Sequence, residues 1–320
     1  MSFRIQSIRD GVYELADAAG TVRAEVWPNA GFNCLRWQMR LADGKWGDIL
    51  YTSPDWETNP VPTRSGHPIL FPFPGRLRDG RLEANGKTYQ LPLNDATHRH
   101  AIHGFTPRNP WRVGATHTEA DHASIEGLFS LPRDLPSAAA LWPSESTLSV
   151  AYSLFGDRLA VDAKVTNEGN EPLPFGLGYH PYFRLPGVTD PDVGDHILQA
   201  NTAKLWDVDA DKVPTGKLLE IPEAIDFRRP RAIGAAALDH VFTRDGGAEV
   251  AVLSHPRSPR RLRIVADAAF QDLVLFTPPH RQAVAIEPYT CSADAAHIAN
   301  SGWRTLSPGE AWQGRVEYVA

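Results

Sequence analysis

The segment that decides the fold is residues 147–166, TLSVAYSLFGDRLAVDAKVT. Its first half alternates apolar and polar residues, and the side chains expected to share one face of a strand are Leu148, Val150, Tyr152 and Leu154. Residues 159–166 alternate in the same way, and Gly156 and Asp157 supply turn residues between the two runs. Two alternating runs joined by a short turn predict an antiparallel β-hairpin.

The same kind of short, alternating run recurs along the chain, at 22–27, 262–266, 272–277, 283–287 and 314–319. The helix-like stretches, 134–141 and 293–299, are short. A regular order of strand, long helix and strand is not visible, so we expect an all-β fold, an antiparallel sandwich or barrel-like structure. Without an internal repeat or a linker, residues 1–320 are predicted to form a single domain.

Composition narrows the classes of function. With 42% apolar and 22% charged residues, the 320-residue chain is typical of a soluble globular protein. The net charge of −6 argues against a nucleic-acid-binding protein, and the one arginine-rich stretch, 257–263, is interpreted as a solvated turn and strand edge. Cys34 and Cys291 are too isolated to indicate a disulfide scaffold or a zinc site. No apolar run is long enough to span a membrane, so the expected location is the cytoplasm.

Several common catalytic motifs are missing. The sequence contains neither GxxxxGK[S/T] nor GxGxxG, and GxSxG and HExxH are absent as well. Three other segments combine proline, aromatic and titratable residues: 66–82 together with 94–105, then 174–185, then 283–291. Stiff, partly apolar surroundings of this kind shift the pKa of an enclosed His or Glu and can stack on sugar faces.

These segments carry a resemblance to a known family. The motifs GHPILFPFPGRL (66–77), NGKTY (85–89), HAIHGF (100–105), GYHPYF (178–183) and AIEPYT (285–290) occur in the order found in aldose 1-epimerases. Weaker similarities are VPTG (213–216) and LDHVF (238–242). The resemblance implies a large antiparallel β-supersandwich with an open cleft on one sheet. It also implies an isomerase that interconverts the α and β anomers of a free aldose such as glucose or galactose.

The resemblance assigns roles to five residues. It implies that Glu287 is the catalytic base and His180 the catalytic acid, and that His103, Arg76 and Asp239 bind the sugar. We expect Glu287 and His180 to face one another across the cleft. Taken singly, His180 could be a buried structural histidine and Glu287 an ordinary ion-pair partner. Arg76 could pair with Asp79, and Asp239 could serve a turn.

Opening and closing a hemiacetal ring needs one acid and one base near neutral pH, which a His and a carboxylate can supply. The chemistry requires no metal and no cofactor, and the only partner it implies is a small-molecule sugar. The series His98, His100 and His103 suggests a metal site, but no Asp, Glu or Cys lies at a spacing from them that is typical of a metal ligand. We therefore interpret His103 as a sugar contact, with His98 and His100 near the rim of the cleft.

Five aromatic side chains of these segments could stack on a sugar: Phe71, Phe73, Tyr179, Tyr182 and Tyr289. Most of them are expected to lie in the core. At most one or two are expected to touch the substrate.

The chain departs from galactose-specific mutarotases at positions beside the catalytic motifs. Gly75 precedes Arg76, Gly178 and Tyr179 precede His180, and Phe105 follows the His-Gly pair. These differences leave the identity of the sugar open. A mutarotase for hexose 6-phosphates is one alternative, and the candidate phosphate ligands are Arg78, Arg81, Arg99 and Arg108.

A non-catalytic sugar-binding protein on the same fold is a second alternative. A glycoside hydrolase or lyase is a third, and it is disfavoured because Glu287 is the only carboxylate in a convincing motif.

Overall fold

Strands dominate the computed structural model, which describes residues 2–9, 11–188, 190 and 192–320. In chain order the strands are β1 (Phe3–Arg9), β2 (Val12–Asp17), β3 (Val22–Trp27), β4 (Asn33–Arg40), β5 (Trp46–Asp48), β6 (Ile69–Leu70), β7 (Arg76–Leu77), β8 (Arg81–Ala84), β9 (Lys87–Gln90), β10 (Ala101–Ile102), β11 (Arg112–Thr118), β12 (His122–Leu131), β13 (Ser146–Phe155) and β14 (Arg158–Asn167). They continue with β15 (Leu173–Phe175), β16 (Gly178–Tyr179), β17 (Tyr182–Phe183), β18 (Ile197–Ala200), β19 (Thr202–Val208), β20 (Pro214–Leu219), β21 (Arg231–Ala232), β22 (Asp239–Arg244), β23 (Glu249–Ser254), β24 (Arg261–Ala266), β25 (Asp272–Phe276), β26 (Val284–Tyr289), β27 (Arg304–Leu306) and β28 (Ala311–Val319).

Helical structure in the described residues consists of short 3-10 segments. They are Pro28–Ala30, Arg78–Gly80, Thr106–Arg108, Pro136–Ala138, Val193–Asp195, Glu223–Ile225 and Ala295–His297. The two stretches with a helix-like sequence, 134–141 and 293–299, each contain one such segment. Within the described ranges, no helix has the length and apolar content that crossing a membrane requires.

The predicted hairpin is confirmed. Strands β13 and β14 pair antiparallel, with Tyr152 opposite Val161 and Leu154 opposite Leu159. The four side chains predicted to share a face of β13 are all fully buried, and the alternating apolar residues of β14 are buried opposite them. The period-two pattern therefore identified the strands and also the face that enters the core.

Two large antiparallel sheets form the body of the molecule, which confirms the all-β expectation. The nine-stranded sheet has the order β11-β12-β13-β14-β28-β24-β23-β18-β21. The eight-stranded sheet has the order β20-β19-β22-β25-β26-β16-β6, and β17 pairs with β26. A five-stranded sheet, β1 to β5 in order, and three two-stranded pairs complete the fold.

The two large sheets share one hydrophobic core. The cluster contains Tyr152 and Tyr318 from the nine-stranded sheet and Tyr179 and Phe183 from the eight-stranded sheet. Phe183 and Tyr318 are in direct contact, with ring centroids 5.2 Å apart. One face of the eight-stranded sheet is thus covered by its partner sheet, and the chemistry must be sought on the other face.

Candidate active site

The outer face of the eight-stranded sheet is the floor of a cavity. Successive side chains of a strand point to opposite sides. On β26, Ile286 lies in the core between the sheets, whereas Glu287 points the other way, into the cavity. Val274, the cross-strand partner of Glu287 on β25, lines the same cavity.

The cavity has a volume of about 390 Å³, within the range of roughly 300–1,000 Å³ that is usual for small-molecule sites. All five side chains predicted from the sequence line it: Arg76, His103, His180, Asp239 and Glu287. The folded chain therefore brings together motifs that lie far apart in the sequence.

Glu287 and His180 are in direct contact at the floor of the cavity. The Oε1 atom of Glu287 lies 3.4 Å from Nε2 of His180, and both side chains are almost completely buried. The expectation that the two would face one another across the cleft is wrong. His180 lies between β16 and β17, which both pair with β26, so the two residues are neighbours on one sheet.

Burial has opposite effects on the two groups. It raises the pKa of the Glu287 carboxyl well above its ordinary value, opposed by the Tyr289 hydrogen bond and assisted by the charge of Asp239. It lowers the pKa of His180 to about 3. Both shifts favour the neutral forms. The pair therefore favours holding one proton between its two groups, rather than two protons or none.

Two tyrosines flank this pair. The Tyr289 hydroxyl donates a hydrogen bond to Oε2 of Glu287 at 2.7 Å. The Tyr182 ring stacks on the imidazole of His180 with ring centroids 4.7 Å apart, and its hydroxyl lies 3.4 Å from Nε2. Phe71, Phe73 and Tyr179 belong to the core, as the sequence predicted for most of these aromatics.

His103 forms another part of the wall. Its backbone N–H donates to the carbonyl of Gly75 at 2.9 Å, and its Nδ1 accepts from the N–H of Gly75 at 3.2 Å. Because Nδ1 is an acceptor, the neutral ring carries its proton on Nε2. Burial, together with the nearby His180, Arg108 and Arg76, lowers the pKa of His103 well below its ordinary value, so the ring is a neutral hydrogen-bond donor.

The local structure requires a glycine at the position before Arg76. Gly75 has φ +64°, and a Cβ at this position would lie 2.5 Å from the Cβ of Ala293. A side chain here would disturb both the turn and the paired hydrogen bonds to His103. Gly75, one of the departures from galactose-specific mutarotases, is therefore explained by its close packing against Ala293, in the segment that follows Glu287.

Arg76 is held by a carboxylate that the sequence analysis missed. Its Nε atom lies 3.7 Å from Oδ2 of Asp95, whose side chain is buried. Pairing of Arg76 with Asp79 is wrong: the nearest basic group to that carboxylate is His100, with Nδ1 3.9 Å from Oδ1. The one sequence feature that could have indicated Asp95 is the Asp-x-Thr sequence at 95–97, which is typical of a turn in which the Asp side chain bonds to nearby backbone groups.

Hydrogen bonds keep Asp95 ionised. Its carboxylate accepts from the Thr97 hydroxyl and from the backbone N–H groups of Arg99 and His100. Burial alone would raise the pKa of Asp95, but these hydrogen bonds outweigh it and hold the pKa below its ordinary value. A fixed negative charge thus lies close to the guanidinium of Arg76, within ion-pair distance but too far for a hydrogen bond.

Asp239 lies at the more open side of the cavity. It is the first residue of β22, its side chain is 51% exposed, and its Oδ2 lies 3.8 Å from Nζ of Lys212. Lys212 also lines the cavity and was not predicted. It immediately precedes the VPTG segment, which with LDHVF was a weak sequence signal for this side of the site.

The loop that carries Lys212 is tied to the opposite wall by ion pairs. Arg78 contacts Asp209 at 2.9 Å and Asp294 at 3.3 Å, and Arg99 contacts Asp211 at 2.7 Å. Asp209 also accepts the N–H groups of Asp211 and Val213, which closes the turn. We call residues 209–213 the rim loop.

The four arginines considered for a phosphate pocket serve other contacts. Arg78 and Arg99 hold the rim loop, Arg81 pairs with Glu83 at 2.5 Å, and Arg108 donates to the carbonyl of Ile102 at 3.4 Å. None of the four lines the cavity.

The three histidines of the 98–103 segment do not converge. His98 is exposed, His100 is buried with Nδ1 accepting the N–H of Asp79, and His103 lies in the cavity wall. Across the part of the chain that the structure describes, no group of three or more His, Cys, Asp or Glu side chains is arranged to hold a metal ion.

Comparison with known proteins gives a consistent result. The family model described as Aldose 1-epimerase matches residues 12–319. The uncharacterised protein YihR of Escherichia coli K12 is 27% identical over 229 residues, which cover 71% of this chain and 70% of that protein. Human galactose mutarotase is 25% identical over 209 residues, or 59% of this chain and 56% of that protein.

Solved structures show the same fold. A galactose mutarotase-like protein from Clostridium acetobutylicum superposes with a TM-score of 0.86 at 23% identity, covering 99% of this chain and 97% of that one.

Proposed function

The chain belongs to the aldose 1-epimerase family, and we propose that it interconverts the α and β anomers of a free aldose. The observation that carries this proposal is the contact of Glu287 with His180, 3.4 Å apart at the floor of a sugar-sized cavity. A galactose mutarotase among the curated relatives supports the same reaction class.

The reaction needs two proton transfers at one carbon atom. A base removes the proton of the C1 hydroxyl, an acid protonates the ring oxygen, and the C1–O bond of the ring breaks to give the open-chain aldehyde. Rotation about C1–C2 then exposes the other face of the carbonyl, and the ring closes with the proton transfers reversed. No redox cofactor or metal ion is needed for these steps.

The contact between the two groups suits this chemistry. The ring oxygen and the anomeric hydroxyl are both bonded to C1, so an acid and a base that lie side by side on one sheet can serve both oxygens. We assign Glu287 as the base for the C1 hydroxyl and His180 as the acid for the ring oxygen.

One shared proton is enough for both directions of the reaction. With the proton on His180, the pair consists of a carboxylate base and an imidazolium acid. With the proton on Glu287, the acid and the base are exchanged. The raised pKa of Glu287 and the lowered pKa of His180 keep one proton in the pair over a broad range of pH.

The remaining residues are assigned to binding. His103 offers an Nε2–H to an oxygen near C1, and Arg76, which lies beside Asp95, donates to sugar hydroxyls. Asp239 accepts from hydroxyls at the open side of the cavity. Hydrogen-bond donors from His103 and Arg76 and an acceptor from Asp239 together fix the orientation of the sugar ring in the cavity.

The direct test is exchange NMR on a panel of aldoses with catalytic amounts of protein. We expect anomer exchange faster than the buffer rate on at least one free aldose. Sugar 6-phosphates belong in the panel, but the candidate arginines lie outside the cavity, so we expect them to be poorer substrates. Sugar binding without any exchange would contradict the proposal and identify a binding protein on this fold.

A further inference from the structure

Tyr289 occupies a special position beside Glu287. The two residues are two positions apart on β26, so their side chains emerge on the same face of the sheet. The side chain of Tyr289 is almost completely buried, and its hydroxyl donates to Oε2 of Glu287 at 2.7 Å. The other carboxylate oxygen, Oε1, is the one that lies 3.4 Å from His180.

The ring of Tyr289 fits only because a glycine lies beside it. Gly178 is the cross-strand partner of Tyr289, and a Cβ at Gly178 would lie 2.6 Å from Cδ1 of the tyrosine ring. The same Cβ would lie 2.7 Å from Cβ of Pro74. Gly178 is one of the departures from galactose-specific mutarotases, and the structure explains this glycine as space for the ring of Tyr289.

We propose that Tyr289 is a positioning residue: its hydroxyl holds Oε2 of Glu287, so that Oε1 is presented to His180 and to the C1 hydroxyl of the sugar. This inference rests on the proposed function and deepens it. Without this hydrogen bond the carboxylate could rotate about its last bond and present either oxygen to the substrate. Such misplacement of a reacting group lowers the rate of the reaction.

The same hydrogen bond affects protonation. A donor that bonds to a carboxylate stabilises its charged form, so the Tyr289 contact opposes the rise that burial causes in the pKa of Glu287. The other titratable or charged side chains facing this cavity are Arg76, His103, His180, Tyr182, Lys212 and Asp239. Among them Asp239 acts in the direction opposite to Tyr289 and raises the pKa of Glu287. On the neighbouring strand β25, Asp272 is the cross-strand partner of Tyr289, and burial raises its pKa to about 7.

The test is Tyr289→Phe, which keeps the ring and removes the hydrogen bond. We expect kcat for anomer exchange to fall roughly 10- to 100-fold, with KM changed by less than about threefold. The alkaline limb of the pH–rate profile should move to higher pH by about one pH unit, because the carboxylate has lost a stabilising donor. Loss of rate with an unmoved pH profile would overturn the inference.

Tyr179→Phe is the matched control. Tyr179 is also fully buried, but it faces the core, and its hydroxyl has no hydrogen-bond partner among the described residues. We expect this variant to keep the kcat and the pH profile of the wild type. Gly178→Ala provides an independent variant, since it displaces the Tyr289 ring without changing the hydroxyl. It should lower kcat in the same way, and a wild-type kcat would contradict the packing argument.

A second measurement separates this inference from the proposed function. The carboxyl group of Glu287 can be followed by ¹³C NMR, with its signal assigned by its loss in Glu287→Gln. We expect its titration to move to higher pH in Tyr289→Phe and to stay in place in Tyr179→Phe. If the wild type exchanges no anomers but the titration shift is seen, the proposed function is contradicted, whereas the hydrogen bond from Tyr289 to Glu287 is supported. An unshifted titration overturns the positioning role.

Discussion

Burial acts in opposite directions on the two side chains that meet at the floor of the cavity. It raises the pKa of Glu287 and lowers the pKa of His180 to about 3. The motifs around both residues identified them from the sequence, since each combines a titratable group with proline and aromatic neighbours. Their contact could not be predicted, because it depends on which strands pair with β26. Asp95 was missed as a site residue for the same reason, and Tyr289 was considered only as an aromatic that could stack on the sugar.

The two pKa shifts predict the pH dependence of the proposed activity. The active pair holds one transferable proton, so activity should fall when a second proton is bound and when the last one is lost. The lowered pKa of His180 moves the acid limb below pH 6.5, toward about 3, and the raised pKa of Glu287 moves the alkaline limb upward from its ordinary range near 4.3. We expect a plateau of kcat between these two limbs, with its acid limb well below pH 6.5, measured by exchange NMR. A narrow optimum centred near pH 6.5 would contradict this account.

Arg76→Ala tests the assignment of a binding role. The guanidinium lies 3.7 Å from Asp95 and lines the cavity. We expect KM to rise roughly tenfold with a smaller change in kcat, because a charged donor to the sugar is lost. A variant with unchanged KM and a lowered melting temperature would show that Arg76 is structural.

Among the elements, the hairpin β13–β14 was predictable and the rim loop was not. Alternation of apolar residues is a local pattern, so it identified both strands and their buried faces. The rim loop depends on ion pairs between residues distant in sequence, Arg78 with Asp209 and Arg99 with Asp211. Nothing in the local sequence indicates which of many arginines contacts which carboxylate.

Arg78→Ala should loosen the rim loop. Arg78 joins Asp209 to the buried Asp294 at the opposite wall, so its loss frees the loop that presents Lys212. We expect KM to rise and the melting temperature to fall by about 1–2 °C, for a loss of about 1 kcal/mol. Arg81→Ala is the control, since Arg81 pairs with the exposed Glu83 and should leave both quantities unchanged. Equal effects of the two substitutions would show that the loop does not depend on Arg78.

For the molecule as a whole, a buried histidine joins the two large sheets. His67 precedes β6 of the eight-stranded sheet, and its ring nitrogens lie 3.0 Å from the hydroxyl of Tyr152 and 2.8 Å from that of Tyr318, both in the nine-stranded sheet. The sequence predicted the sandwich through its strands. It did not reveal this connection, because a lone histidine carries no signal of its partners.

His67 should make the fold sensitive to acid. Burial lowers its pKa to about 3, whereas an unfolded chain binds the proton near pH 6.5. Stability from this residue is complete above about pH 6.5 and is lost as the pH falls toward 3, by about 1.4 kcal/mol for each pH unit. His67→Gln should flatten the dependence of the free energy of unfolding on pH, whereas substitution of the exposed His98 should not. Parallel curves for His67→Gln and the wild type would contradict this role.

The decisive experiment for the role of Glu287 compares anomer exchange in the wild type and in Glu287→Gln. Both proteins are assayed by exchange NMR at the same saturating concentration of the best aldose of the panel. We predict acceleration by the wild type and a loss of about 10²- to 10⁴-fold in the variant, the usual contribution of an acid–base group. The variant should keep the melting behaviour of the folded protein. Equal exchange rates in the two proteins would contradict the central claim that Glu287, paired with His180, transfers the proton.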